Sequence, residues 1–392
     1  MTRRLYLDNS ATSFPKPPEV LAAMTRFAAE LGASPGRGAY AEAREAGALL
    51  QRCRERIVEL VGGAAPEQVI FTLNATDALN LAIRGLLRPG DHAVTTRFEH
   101  NSVLRPLNRL VEERGISQTR VECDPVTGLV DPDAIRRAIG PRTRLVALVH
   151  ASNVTGTLQP VAEVGRITRE HGVPLLVDAA QSLGHVPLDV ERDRIDLLAF
   201  PGHKGLLGPL GTGALYIRPG LERELWTLRE GGTGSVSDSD LQPDFLPDRF
   251  EPGSHNALGI IGLGAGVEWV LARTVTALRR HEEELMRRML DGLGGVPGLT
   301  LYGPRALEQR TGVFSIRMAG YAHPQALADR LEREHGVLSR AGIHCAPLAH
   351  ATIGTLDAGG TTRLSLGPFV TVEDVARVIE ALHAIARGAA VA

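Results

Sequence analysis

Between about residue 66 and residue 220 the chain alternates short β-branched runs with longer amphipathic stretches. Consecutive parallel strands need a helical crossover between them, and strands buried on both faces read as unbroken apolar runs. This alternation therefore demands repeated βα units on a mainly parallel sheet. The segments "EQVIFT", "HAVTT", "TRLVALVH", "VPLLVDAA", "DLLAF" and "GALYI" read as its strands. Between them "ATDALNLAIRGLL", "SVLRPLNRLVEERG", "DAIRRAIG" and "VAEVGRITREHG" read as helices, several opened by Asp or Ser or closed by Gly. The expected class is α/β.

At 392 residues the chain exceeds one ordinary core, so two domains are expected. The texture changes after residue 256: "LGIIGLGAGVEWVLARTVTALRRHEEELMRRMLDGL" reads as one long interdomain helix, followed by a strand-like "GVFSIRM" and further helices. The chain closes with "TVEDVARVIEALHAIA", where Thr371 and Asp374 have capping-box spacing and Val375, Val378, Ile379, Leu382 and Ile385 form one apolar stripe. The resulting division is a large α/β domain over 15–255 and a smaller α+β domain over 256–392, with segment 1–14 packing against the smaller one.

A formal net charge of −2, with no block of like charges, argues against a nucleic-acid arm or a membrane-surface patch. The three cysteines, Cys53, Cys123 and Cys345, are an odd number at wide spacing and make no disulfide framework, which suits a reducing compartment. Behind the N-terminal arginines the apolar run is only "LYL", and no stretch reaches the ~18 apolar residues of a spanning helix. A soluble, cytoplasmic protein is expected.

Two strand ends each deliver a reactive side chain. "VPLLVDAAQSLGH" ends a strand with Asp178, followed by Gln181, and "DLLAFPGHKG" ends another with His203 and Lys204. In open α/β sheets ligands bind at the carboxyl ends of the strands. A lysine and a carboxylate at one such edge suggest pyridoxal 5'-phosphate, the amine forming a Schiff base while Asp178 keeps a proton on the ring nitrogen. "FTLNATDALNLAI" turns from strand to helix at Ala75 and Thr76, a phosphate seat or a plain Thr cap. His100, in "RFEHNSV", can stack on the cofactor ring or sit in a solvated loop, and Asn153, in "ASNVTG", can reach the ring oxygen or form a turn.

These motifs, together with "YLDNSATSFPKP", "GHKGLLGPLGTGALY", "RFEPGSHNALGIIGLGAG", "RAGIHCAPLAH" and "TTRLSLG", run in order along nearly the whole chain. The sequence resembles the class V branch of fold type I pyridoxal-phosphate enzymes, specifically the cysteine desulfurase and selenocysteine lyase group. That resemblance implies a fold type I transferase with Lys204 carrying the cofactor, Asp178 on its ring nitrogen, Gln181 and Asn153 on the ring or its oxygen, and His100 stacked on it. It implies Ala75, Thr76 and His203 at the phosphate, joined by Ser254 from the other subunit of a homodimer with shared active sites. The resemblance implies that Arg363 grips the substrate carboxylate, a task suited to a planar bidentate donor, and Asn153 and Arg340 are also expected to bind substrate.

Cys345 corresponds to the loop nucleophile, with adjacent His344 as a candidate acceptor for its proton. A metal site at His344, Cys345 and His350 lacks a fourth partner at recognisable spacing, so no metal is expected. One departure stands out: Pro201 sits where relatives commonly carry a serine, removing a hydroxyl from the phosphate cup. The implied reaction converts L-cysteine to L-alanine and leaves a persulfide on Cys345 for a sulfur-acceptor protein. Its rivals are another class V activity (aminotransferase, epimerase, selenocysteine lyase or C–S lyase) and a non-catalytic scaffold that binds the cofactor or a sulfur-transfer partner.

Overall fold

The structure, a computed structural model, describes residues 4–35 and 38–389. Its centre is a seven-stranded sheet in the order Val69–Thr72, Gly213–Ile217, Leu197–Pro201, Leu175–Asp178, Thr143–Val149, His92–Thr96, Ser117–Val121. All neighbours pair in parallel except Gly213–Ile217, which is antiparallel to both of its partners. Reversing one strand twice leaves Val69–Thr72 pointing the same way as Leu197–Pro201, so the carboxyl ends of six strands share one edge. The six expected strands lie in this sheet. Ser117–Val121 escaped the sequence pattern because "SQTRV" is an exposed edge strand without an apolar run.

The smaller unit holds a four-stranded antiparallel sheet in the order Arg340–Gly342, Thr361–Ser365, Val313–Met318, Leu299–Tyr302. Leu5 and Leu7 are buried in its core beside Phe314 and Ile316, and strand Leu5–Tyr6 pairs in parallel with Val337–Leu338. The closing helix, Val372–Ala389, opens with a reciprocal cap: Asp374 N–H donates to Thr371 Oγ1 (3.2 Å) and Thr371 N–H to Asp374 Oδ2 (3.1 Å).

The long helical pattern after residue 256 is two helices, Ala257–Arg273 and Val275–Gly294, bent by 78°. Thr274 makes the break. It has φ 61° and ψ 138°, outside the helical region, and its hydroxyl accepts from Ala277 N–H, capping the second helix. Ile260, Ile261, Leu263 and Val267 pack with Cys53, Ile57 and Phe200 in the large core, whereas Leu285, Met286 and Met289 pack in the small one. Around the bend, Trp269 and Val270 pack with Leu207, Val275, Leu278 and Phe369. No single described helix is long and apolar enough to cross a membrane.

Candidate active site

The shared carboxyl edge of the sheet opens into a cavity. Asp178 ends its strand in register between Val149 and Ala199, and Lys204 follows Leu197–Pro201 through a tight turn. The glycine after Lys204 is required there: a Cβ on Gly205 would lie 2.2 Å from the Leu183 carbonyl oxygen. Ala75, Thr76, His100, Asn153, Gln181 and His203 line the same cavity, so eight of the expected site residues converge without the chain being close-packed there.

At one end, helix Ala75–Leu86 begins. Its cap is Asn74, whose side chain accepts from Asp77 N–H at 3.0 Å. Among the described residues no acceptor takes the N–H groups of Ala75 and Thr76, and Thr76 is exposed, so this end presents free donors at a helix N-terminus. Thr76 is therefore not the cap; its hydroxyl lies 2.8 Å from that of Ser102. Ser102 was not singled out in the sequence because a serine in a first helical turn looks ordinary, yet it lines the cavity and brings a hydroxyl where Pro201 brings none. His100 caps helix Asn101–Arg114, its Nδ1 accepting from Ser102 N–H at 3.1 Å.

The electrostatics of the floor follow from desolvation. Burial lowers the Lys204 ammonium to about 8; Asp178 opposes this, and Arg363 and Arg340 reinforce it. Burial raises Asp178 above the usual carboxylate range, with the Ala180 N–H (2.9 Å) and the Lys204 charge pulling it back. His100 and His203 are each pushed down to about 4, mainly by burial and then by Lys204, so both imidazoles are neutral at physiological pH. The His203 carbonyl is gripped from below by Ser13 N–H (3.0 Å), Thr12 Oγ1 (3.1 Å), Ser13 Oγ (3.1 Å) and Lys16 Nζ (2.9 Å). The N-terminal motif thus clamps the peptide that carries Lys204.

Other expected residues sit around this floor in different ways. Gln181 Nε2 donates to the Ser10 carbonyl (2.9 Å), and Asn153 Nδ2 donates to the His344 carbonyl (2.5 Å). Arg363 is buried on strand Thr361–Ser365, outside the cavity lining. It donates to the Asn153 carbonyl (3.1 Å) and to Asp8 Oδ1 (2.8 Å), while its Nε is buried without a partner. Arg340 is exposed and directly opposite Arg363 across the ladder. Ser254 is exposed and does not line the cavity of its own chain.

Cys345 is exposed, and both it and His344 have positive φ (59° and 51°), a conformation costly for side chains of their size. The Cys345 carbonyl accepts from Asn101 N–H at 2.8 Å, tying the loop to the helix that His100 caps. The His344 Nε2 is turned to the Thr361 carbonyl (3.1 Å), its Nδ1 is buried without a partner, and burial, then Arg363, holds the ring down at about 2, so it brings no positive charge to the thiol. His350 Nδ1 is taken by Thr355 Oγ1 (2.7 Å), and no group of three or more His, Cys, Asp or Glu among the described residues is arranged to hold a metal ion.

The sequence profile of the "Aminotransferase class-V" family matches residues 5–378. A probable cysteine desulfurase of Methanothermobacter thermautotrophicus is 37% identical over 385 residues, covering 97% of this chain and 94% of that protein. A cysteine desulfurase of Pectobacterium atrosepticum is 34% identical, covering 97% and 93%. Among solved structures, the apo cysteine desulfurase of Thermococcus onnurineus superposes with a TM-score of 0.91 at 33% identity, covering 98% of this chain and 95% of that one. The Escherichia coli cysteine desulfurase CsdA, in an S-sulfonic acid form, superposes with a TM-score of 0.88 at 29% identity over 98% and 95%.

Proposed function

This chain belongs to the class-V aminotransferase family, and from that premise we propose that it is a pyridoxal-phosphate-dependent cysteine desulfurase that collects sulfur on Cys345. The residues present suit the cofactor. An acid is buried on the floor, a lysine of lowered basicity stands beside it, free helix N-terminal donors lie at the open end, and the buried His203 Nδ1 has no protein partner. When bound, pyridoxal phosphate supplies an electron sink for the carbanion formed at the substrate Cα.

Lys204 is the base for that carbon: with its ammonium at about 8, an appreciable fraction is free amine near neutral pH. Asp178 would hold the ring proton, and the family resemblance assigns Arg363 to the substrate carboxylate, with Arg340 opposite it on the ladder. Thr76, the Ala75 and Thr76 N–H groups and His203 hold the phosphate, leaving room on the exposed side for Ser254 of a second subunit. Cys345 then attacks the substrate sulfur. An S–S bond forms, the C–S bond breaks, the carbon keeps the electron pair and takes a proton, and the net products are L-alanine and a Cys345 persulfide.

The observation that carries this reading is the anchoring of Cys345. An exposed cysteine is tethered through its own carbonyl to the first N–H of the helix whose cap, His100, lines the cavity. A sulfur-acceptor protein then has access to the persulfide.

The test is alanine formation from L-cysteine in excess reducing thiol. Wild-type protein is expected to form alanine and Cys345→Ala to form none while retaining cofactor. A cofactor-charged wild type that forms no alanine overturns the proposal.

A further inference from the structure

The hydrogen bonds at the open end of the cavity form an unbroken line. Thr76 Oγ1 lies 2.8 Å from Ser102 Oγ, which lies 2.8 Å from His100 Nδ1. The direction of the protons along that line is determined. Nδ1 accepts from the Ser102 backbone N–H (3.1 Å), so it carries no proton and the neutral ring is protonated on Nε2. With Nδ1 an acceptor, the Ser102 hydroxyl must donate to it. Each hydroxyl has a single proton, so Thr76 donates to Ser102, and the chain of donors points toward the imidazole.

That polarity conflicts with an anion at the same end of the cavity. The Thr76 hydroxyl sits beside the free N–H groups of the Ala75–Leu86 helix, where an anion is favoured, and an anion requires its proton. Once Thr76 turns its proton outward, it keeps its bond to Ser102 only by accepting the Ser102 proton, and Ser102 then no longer donates to Nδ1. Keeping that bond reverses both hydroxyls together, because neither can donate twice.

We infer that Ser102 is a positioning residue that relays anion occupancy at Thr76 to the His100 imidazole by reversing a two-hydroxyl chain. The inference rests on the reading of this cavity as the seat of a phosphate-bearing cofactor. Losing a donor at Nδ1 leaves the ring more basic. The charges acting on His100 are Lys204, Arg105, Arg340 and Arg363, all positive and all opposed to its protonation, so the relay is a route by which the anion offsets them. The imidazole is thereby prepared for proton work only when the phosphate seat is filled.

The experiment is 15N NMR of histidine-labelled, cofactor-free protein titrated with inorganic phosphate, with phosphate binding followed by 31P line broadening. The His100 Nδ1 resonance is assigned by its loss in His100→Gln. In the wild type, phosphate is expected to displace this resonance toward that of an imidazole nitrogen accepting a weaker hydrogen bond. In Ser102→Ala it should start near the displaced position and lose most of its response, and Ser102→Thr should restore the response in a folded protein. An equal displacement in Ser102→Ala overturns the relay, as does a wild-type resonance that stays fixed while 31P broadening shows phosphate bound. Absence of 31P broadening in the wild type overturns the anion seat itself, an outcome separate from the alanine assay.

Discussion

The two sides of the cavity are assembled by different means. On the sheet side, Asp178 accepts from Ala180 two residues away, and Lys204 follows its own strand through a glycine turn, so neighbouring residues set the frame, to which the N-terminal motif adds its grip on the His203 carbonyl. On the opposite side, the contacts span 191 residues for Asn153 to His344, 210 for Arg363 to Asn153 and 355 for Arg363 to Asp8. The frame of the sheet side is set once the βα units form. The other side exists only when the two units are docked and the N-terminal segment lies between them.

Substitutions separate the two sides by size of effect. Lys204→Ala removes the base and the covalent anchor together. Alanine formation is expected to fall at least ~10²–10⁴-fold, the range for a positioned proton-transfer group, and visible absorbance of the bound cofactor should vanish. A variant that keeps its colour and turnover would break the assignment of the sheet side. Arg363→Lys keeps the charge but loses the planar fork, so kcat/KM for cysteine is expected to drop about 10- to 100-fold, mostly through KM, for the loss of ~1.5–3 kcal/mol of charge-assisted bonding. An unchanged KM in steady-state kinetics would remove Arg363 from the substrate carboxylate.

Asn153→Ala tests how the far side is held. It deletes the bond to the His344 carbonyl beside Cys345, worth ~1 kcal/mol, so alkylation of Cys345 by a neutral reagent in the cofactor-free protein should quicken about fivefold. Alkylation at the wild-type rate would mean that the Asn101 and Thr361 bonds hold the loop without it. A further effect is on stability. The Lys204 ammonium falls from an ordinary lysine value to about 8 on folding, so the folded cofactor-free chain binds fewer protons than the unfolded chain between about 8 and 10.5. The Lys204 contribution is thus fully present above 10.5 and lost as pH falls through 8. In denaturant titrations of cofactor-free protein, Lys204→Met should be more stable than wild type near neutrality, and the gap should close as pH rises across that window.

The same division governs what could be read from sequence. Strand ends, their reactive residues and the Thr371–Asp374 cap are local patterns of apolar period and spacing, and they appear where expected. Thr274 was missed because apolar residues continue through it and a capping threonine is indistinguishable from one in mid-helix without its backbone angles. Adjacency of His344 to Cys345 says nothing about which carbonyl the ring faces, and the Thr361 contact is not legible in sequence. The Asp8–Arg363 pair and the Thr76–Ser102–His100 line join residues from separate elements, and no window of sequence contains them.

The bend at Thr274 has a bearing on what the site admits. Helix Ala257–Arg273 is embedded with the strands that carry Lys204, and helix Val275–Gly294 with the strands that carry Arg363. The two residues proposed as base and carboxylate anchor therefore belong to cores whose connecting helices turn at a threonine outside the cavity lining, and the bond from Arg363 to the Asn153 carbonyl ties one unit to the other at the site itself.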